Sequence, residues 1–192
     1  VVYIDSPVGT GYSTAETYAS TQDEVSDALV EFLGNFTAWP LSNGLYLTGE
    51  SYGGHYLPPL GVKALQAGLP LKGISIGDGL TDPGTQVLTK PTAAYHFGLI
   101  DEVTMAQAAV EAEKASIACA TGDFLAAKTH RDNMEDVVLD AAQVNPYDVR
   151  IFDAYDDSKE IAFLNSSDAL STFGAPYFGT DPQVSESLAA DV

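Results

Sequence analysis

Cysteine is nearly missing from this 192-residue chain. Cys119 is the single one, so no disulfide can close within these residues. A catalytic thiol is not expected, because Cys119 sits in the helix-like apolar run Ser-Ile-Ala-Cys-Ala with no base beside it. It reads as a small buried apolar residue or as the partner of a cysteine elsewhere in a longer polypeptide. Basic residues are also scarce, 8 against 27 acidic ones, which leaves a net charge of −19. A surface of that sign repels nucleic acid and anionic membranes, so neither is expected as a partner. The acid excess suits an acidic compartment or high salt and says nothing specific about substrate. No apolar run approaches the roughly 20 residues of a membrane span. No basic segment precedes an apolar stretch at the start, so no signal peptide is expected in these residues. The carboxylates Asp153, Asp156 and Asp157 lack the loop glycine and ligand spacing of a calcium site. They read as a solvated turn, and neither metal nor cofactor is expected.

What the chain does have is apolar content of 45%, enough for a packed core, over a length of about one to one and a half domains. Residues 1–5, Val-Val-Tyr-Ile-Asp, form a continuous apolar run with a polar stop, the pattern of a fully buried strand. A chain that opens within such a strand is expected to be cut from a longer one at both ends. A Gly/Ser/Thr/Pro loop follows over 6–18. Thr21-Gln-Asp-Glu24 is a capping box ahead of an amphipathic helix whose inward stripe is Val25, Ala28, Leu29, Phe32 and Phe36. Strands are predicted over 45–49 and 71–77, the latter with Ile74 and Ile76 on one face. The helix between them should reach about Gly68, disturbed near Pro58-Pro59. Alternating strands and helices imply a parallel sheet with crossover helices. From about Gln86 to Val144 the chain turns alanine-rich and helix-periodic, with a long helix from Asp101. Asp181-Pro182 is predicted to start a last short helix.

Residues 45–54 read Leu-Tyr-Leu-Thr-Gly-Glu-Ser-Tyr-Gly-Gly: an apolar strand running into Gly-x-Ser-x-Gly. Such a strand can hold a tight turn that projects Ser51 at its carboxyl end, with Gly49 and Gly53 leaving room for strained backbone and a helix starting behind. The pattern alone also fits an ordinary glycine-rich turn. The strand before it and the second glycine motif upstream, over 5–13, favour a nucleophile. His55, His96 and His130 read as packing or surface histidines, since a base must come within about 3 Å of the nucleophile.

Asp5-Ser-Pro-Val-Gly-Thr-Gly-Tyr-Ser13 together with Gly49-Glu-Ser-Tyr-Gly-Gly-His-Tyr-Leu-Pro58 resembles the serine carboxypeptidase family. Ile76-Gly-Asp-Gly-Leu-Thr-Asp-Pro83, Phe97-Gly-Leu-Ile-Asp101 and Asn145-Pro-Tyr-Asp-Val-Arg150 match further landmarks in the right order. The resemblance implies an α/β fold: an α/β-hydrolase core, here a partial and mainly parallel sheet over 1–83, a helical cap inserted over 84–170, and a return to the core over 171–192. It implies a hydrolase that releases C-terminal amino acids from peptides and proteins through an acyl-enzyme. Ser51 would be the nucleophile and the Tyr52 backbone N–H an oxyanion donor. Glu50 would hold the substrate's terminal carboxylate, a contact that needs one carboxyl of the pair to carry a proton and so favours acid. A secreted or vacuolar/lysosomal location is implied, and the sequons at Asn35 and Asn165 permit glycosylation there.

Some features depart from the family pattern. Asp78 stands where the family generally has Asn, and the family's several disulfides cannot form within these residues. Its Asn-Gly-Gly-Pro loop is expected before residue 1, and the Asp and His of the triad after residue 192. The chain alone is therefore expected to be inactive. Two other readings stay open. An acyltransferase of the same fold is one, although Glu50 favours the peptidase branch. A non-catalytic homologue that acts as a binding protein is the other, disfavoured by the intact Ser51 turn. A dinucleotide site at Gly9-Thr-Gly11 fails, because the third glycine is missing and the helix starts too late.

Overall fold

The computed structural model describes residues 1–14, 16–36, 41–152 and 156–180. They divide into two compact units, one built from 1–81 and 161–180, the other from 82–160. The fold is mixed α/β, with a small parallel sheet and many helices.

In the first unit, residues 1–5 form no strand, contrary to the sequence expectation. Val1 is 99% and Tyr3 92% exposed. A strand exists only through a neighbour's hydrogen-bond ladder, and no described strand lies beside this segment. Residues 4–8 instead lie over α1 (Gln22–Asn35), where Val25, Ala28, Leu29 and Phe32 line a cavity of about 90 Å³ with them. The segment then turns through the two-residue β1 (Thr10–Gly11). Only Val25, Ala28, Leu29 and Phe32 of the predicted stripe meet this loop, with Phe32 left exposed, while Leu33, with Leu29 and Val30, faces the sheet. The capping box forms as predicted: Thr21 Oγ1 accepts the Glu24 N–H at 3.2 Å, and Glu24 Oε2 accepts the N–H of Thr21 at 3.2 Å and of Ser20 at 2.6 Å.

β2 (Leu45–Glu50) and β3 (Leu71–Gly77) pair in parallel, with Leu47 opposite Ile74 and Gly49 opposite Ile76. The helix that joins them, α2 (Gly53–Gln66), runs unbroken through Pro58 and Pro59. Its apolar face compensates for the two missing N–H donors: Leu57 and Leu60 pack with Leu33, Leu45 and Leu47 as the unit's core. Ile74 meets α2 at Gly61, where an added Cβ would stand 2.4 Å from Ile74 Cδ1.

The second unit is helical. A short α3 (Pro83–Gln86) and a 3₁₀ turn (Val87–Thr89) lead into α4 (Lys90–His96), α5 (Glu102–Thr121) and α6 (Phe124–Ala142). The Asp101 carboxylate caps α5 through the Thr104 N–H at 2.8 Å, and Asp123 caps α6 through the Ala126 N–H at 3.1 Å. Gly122, at φ 79°, ends α5 in the left-handed conformation that a helix stop favours. Ala108, Ala112 and Ala115 of α5 close on Met134 of α6 and on Val87, all nearly water-free. Cys119 is unpaired and half-buried beside Gly84, where it acts as a small packing residue.

α7 (Ser158–Leu164) and α8 (Ser167–Phe173) carry the chain back to the first unit, and β4 (Gly179–Thr180) pairs antiparallel with β1. The Tyr12 ring stacks on Phe173 at 4.4 Å, and its hydroxyl donates to the Leu164 carbonyl at 3.0 Å. The helix predicted at Asp181-Pro182 and the Asp153 position lie outside the described residues. Asp156 accepts the Ser158 N–H at 3.0 Å as α7 begins.

Candidate active site

β2 delivers its last residue, Glu50, to the edge of the sheet, and Ser51 turns the chain into α2. Ser51 adopts φ 54°, a left-handed conformation that costs a non-glycine residue about 1–2 kcal/mol. Three main-chain hydrogen bonds hold it there. The Ser51 N–H donates to the Gly77 carbonyl at 3.0 Å, and the Ser51 carbonyl accepts from Gly54 at 3.0 Å and Leu80 at 2.9 Å. The turn is therefore bolted both to the end of β3 and to the loop after it. Glu50 and Ser51 are both exposed, and among the described residues neither side chain is engaged by a hydrogen bond.

The close approach that permits this turn involves glycines the sequence pattern does not single out. A Cβ on Gly54 would stand 2.5 Å from the Leu80 carbonyl oxygen and 2.6 Å from its carbon. A Cβ on Gly79 would stand 2.3 Å from Ile76 Cγ2 and 3.4 Å from Gly54 Cα. A Cβ on Gly49 would stand 3.2 Å from Leu57 Cδ1, whereas a Cβ on Gly53 would meet nothing within 4 Å. The available signals were the doublet Gly53-Gly54 and the Gly-Asp-Gly of 77–79. Asp78 itself sits at φ 43°; Asn and Asp are the non-glycine residues that enter this region most readily, which accounts for either residue at this position.

Tyr52 is half-buried at the start of α2. Its carbonyl accepts the His55 N–H at 2.9 Å, and its ring meets His55 at 4.6 Å and Tyr56 at 5.0 Å, both edge-on. Burial, with the Tyr52 phenol adding to it, pushes the Tyr56 hydroxyl up to about 12. The other histidines also have structural neighbours. The exposed His96 ring lies against Tyr95 at 5.4 Å, and His130 Nδ1 lies 2.7 Å from Glu111 Oε2. Of the two sequon residues, Asn35 ends α1 with its amide donating to the Glu31 carbonyl at 3.0 Å. Asn165 pairs with the Phe178 main chain at both ends, donating at 2.9 Å and accepting at 2.9 Å. Among the described residues no three or more His, Cys, Asp or Glu side chains could hold a metal ion, and no helix is long and apolar enough to cross a membrane.

The sequence model of the serine carboxypeptidase family matches residues 1–191. The chain belongs to the serine carboxypeptidase family. It is 42% identical over 114 residues to the "Probable serine carboxypeptidase CPVL" of Dictyostelium discoideum, covering 53% of this chain and 23% of that protein. It is 34% identical over 161 residues to "Serine carboxypeptidase S10 family member 1" of the same organism, covering 78% and 39%. "Serine carboxypeptidase-like 47" of Arabidopsis thaliana is 31% identical over 198 residues, covering 91% and 39%. The chain thus spans about two-fifths or less of the length of these relatives.

In this serine carboxypeptidase family member, the upstream motif is a self-bonded loop. Asp5 Oδ2 accepts the Tyr12 N–H at 2.9 Å, and the Asp5 carbonyl accepts from Ser13 Oγ at 2.8 Å. Gly11, at φ 57°, is pressed so close that a Cβ would stand 2.3 Å from the Asp5 carboxyl carbon. The Asn145 landmark is likewise a folded turn: its buried Oδ1 accepts the Tyr147 N–H at 2.8 Å, and Asp148 pairs with Arg150 at 2.7 Å.

Proposed function

We infer that the protein is a serine-type carboxypeptidase in which Ser51 attacks the last peptide bond of a peptide or protein and forms an acyl-enzyme that water then hydrolyses. The observation that carries this reading is Ser51 itself. It is a serine at φ 54° between a parallel strand and a helix, its main chain held by three hydrogen bonds and its side chain exposed. The Tyr52 N–H, first after the nucleophile, serves as an oxyanion donor. Glu50, exposed one residue before Ser51, receives the substrate's terminal carboxylate through a shared proton, which gives an acidic preference. Residues 1–83 are part of an α/β-hydrolase core, with the helical stretch over 84–170 as its cap and 171–192 returning to the core. The enzyme works in a secreted or vacuolar/lysosomal setting, with Asn35 and Asn165 as its acceptor sequons.

The test uses the full-length protein, because these residues span two-fifths or less of the length of their relatives. A fluorophosphonate reagent is expected to label it covalently, and Ser51→Ala is expected to abolish both labelling and peptide hydrolysis. Labelling of the Ser51→Ala variant at the parent's rate would overturn the assignment.

A further inference from the structure

We propose that Gln22 is a positioning residue for the nucleophile turn and acts through the side chain of Tyr52. The proposal rests on the reading of Ser51 as nucleophile. Gln22 Nε2 donates to the Tyr52 hydroxyl at 3.3 Å, across thirty positions of sequence. The amide's other end, Oε1, is buried and has no hydrogen-bond partner among the described residues. A buried acceptor left unpaired is costly, and such groups in native structures call for an explanation beyond packing. Because both amide and phenol can donate or accept, the bond between them survives a flip of the amide.

The anchor for this contact is rigid. Gln22 is the first residue of α1, inside the capping box formed by Thr21 and Glu24. α1 is tied to α2 through Lys63, whose ammonium reaches the Asp23 carbonyl at 2.9 Å, the Asp23 carboxylate at 3.1 Å and the Asp27 carboxylate at 2.6 Å. The Tyr52 ring is thereby held from three sides, by Gln22, His55 and Tyr56. A fixed ring removes torsional freedom from the residue whose N–H faces the developing oxyanion. Such a donor acts mainly in the transition state, so its misalignment lowers kcat more than it raises KM.

The experiment measures kcat, KM and the fluorophosphonate labelling rate in the full-length enzyme for Gln22→Leu, Tyr52→Phe and the double variant. Each single change is expected to lower kcat and the labelling rate about threefold to tenfold, the range of a net hydrogen-bond contribution. KM should stay within about twofold of the parent. The double variant should be no slower than the worse single one, as groups acting through one bond are not additive. Gln22→Glu keeps an acceptor for the phenol and is expected to restore most of kcat. Should Gln22→Leu fail to fold, Tyr52→Phe must still lower kcat and Gln22→Glu must not. Unchanged kcat in Gln22→Leu, or losses that multiply in the double variant, overturns the role of Gln22 while leaving Ser51 in place. Labelling that persists in Ser51→Ala overturns the nucleophile and this proposal with it.

Discussion

At the scale of single residues, the turn at Ser51 is specified by where a Cβ cannot fit. A Cβ added at Gly54 would stand 2.5 Å from the Leu80 carbonyl oxygen, and backbone cannot step aside as a flexible side chain can. Gly54→Ala is therefore expected to cost about 1–3 kcal/mol of stability and to slow Ser51. Gly53→Ala meets open space and should change stability by less than about 1 kcal/mol. Urea midpoints of the two variants decide the matter, and equal losses would contradict the geometry. Ser51, Tyr52 and Glu50 could be singled out from sequence because a strand followed by Gly-x-Ser-x-Gly makes a local statement about conformation. Gly54, Gly79 and Gln22 could not, since their roles depend on which distant residue arrives opposite: Leu80, Ile76 and Tyr52. Asp78 lay between these cases. Its identity is informative only once φ is known to be 43°.

At the scale of elements, helix starts were the most legible features. Thr21 and Asp101 cap the helices predicted to begin there, because a capping side chain bonds within three residues of itself. The strand predicted over 1–5 did not form, because a strand is a non-local object and its neighbour is not in the local pattern. The α5–α6 hairpin adds a titratable link that periodicity does not reveal. The Lys114 ammonium first, then His130, hold the Glu111 carboxyl down to about 2 from its usual value near 4.5. A depressed carboxyl contributes stability that is full above its unfolded value and is lost as pH falls through the folded one. The hairpin is accordingly expected to weaken between about pH 4.5 and pH 2 through this group. Glu111→Gln removes that titration, so its urea midpoint should fall less over the same range than the parent's. Identical slopes for the two proteins would show that the pairing with Lys114 and His130 does not persist in solution.

At the scale of the whole molecule, these residues span about two-fifths of the length of the relatives they match. What this stretch contributes is a strand–turn–helix frame with Glu50 and Ser51 side by side and exposed. That adjacency predicts how the complete enzyme responds to pH. On the role proposed for Glu50, a peptide with a free C-terminus brings a carboxylate against it, and two carboxyl groups share a hydrogen bond only while one of them carries a proton. KM for a free-acid peptide should therefore rise with pH, whereas its C-terminal amide makes no such demand. Glu50→Gln keeps a hydrogen-bond donor at every pH, so it should bind free-acid peptides better than the parent near neutrality and give a flatter profile. The measurement is kcat/KM for a peptide acid and its amide, in parent and variant, from about pH 4 to 8. If acid and amide follow one pH profile in both proteins, Glu50 does not recognise the terminal carboxylate, and the preference for C-terminal residues must come from another part of the enzyme.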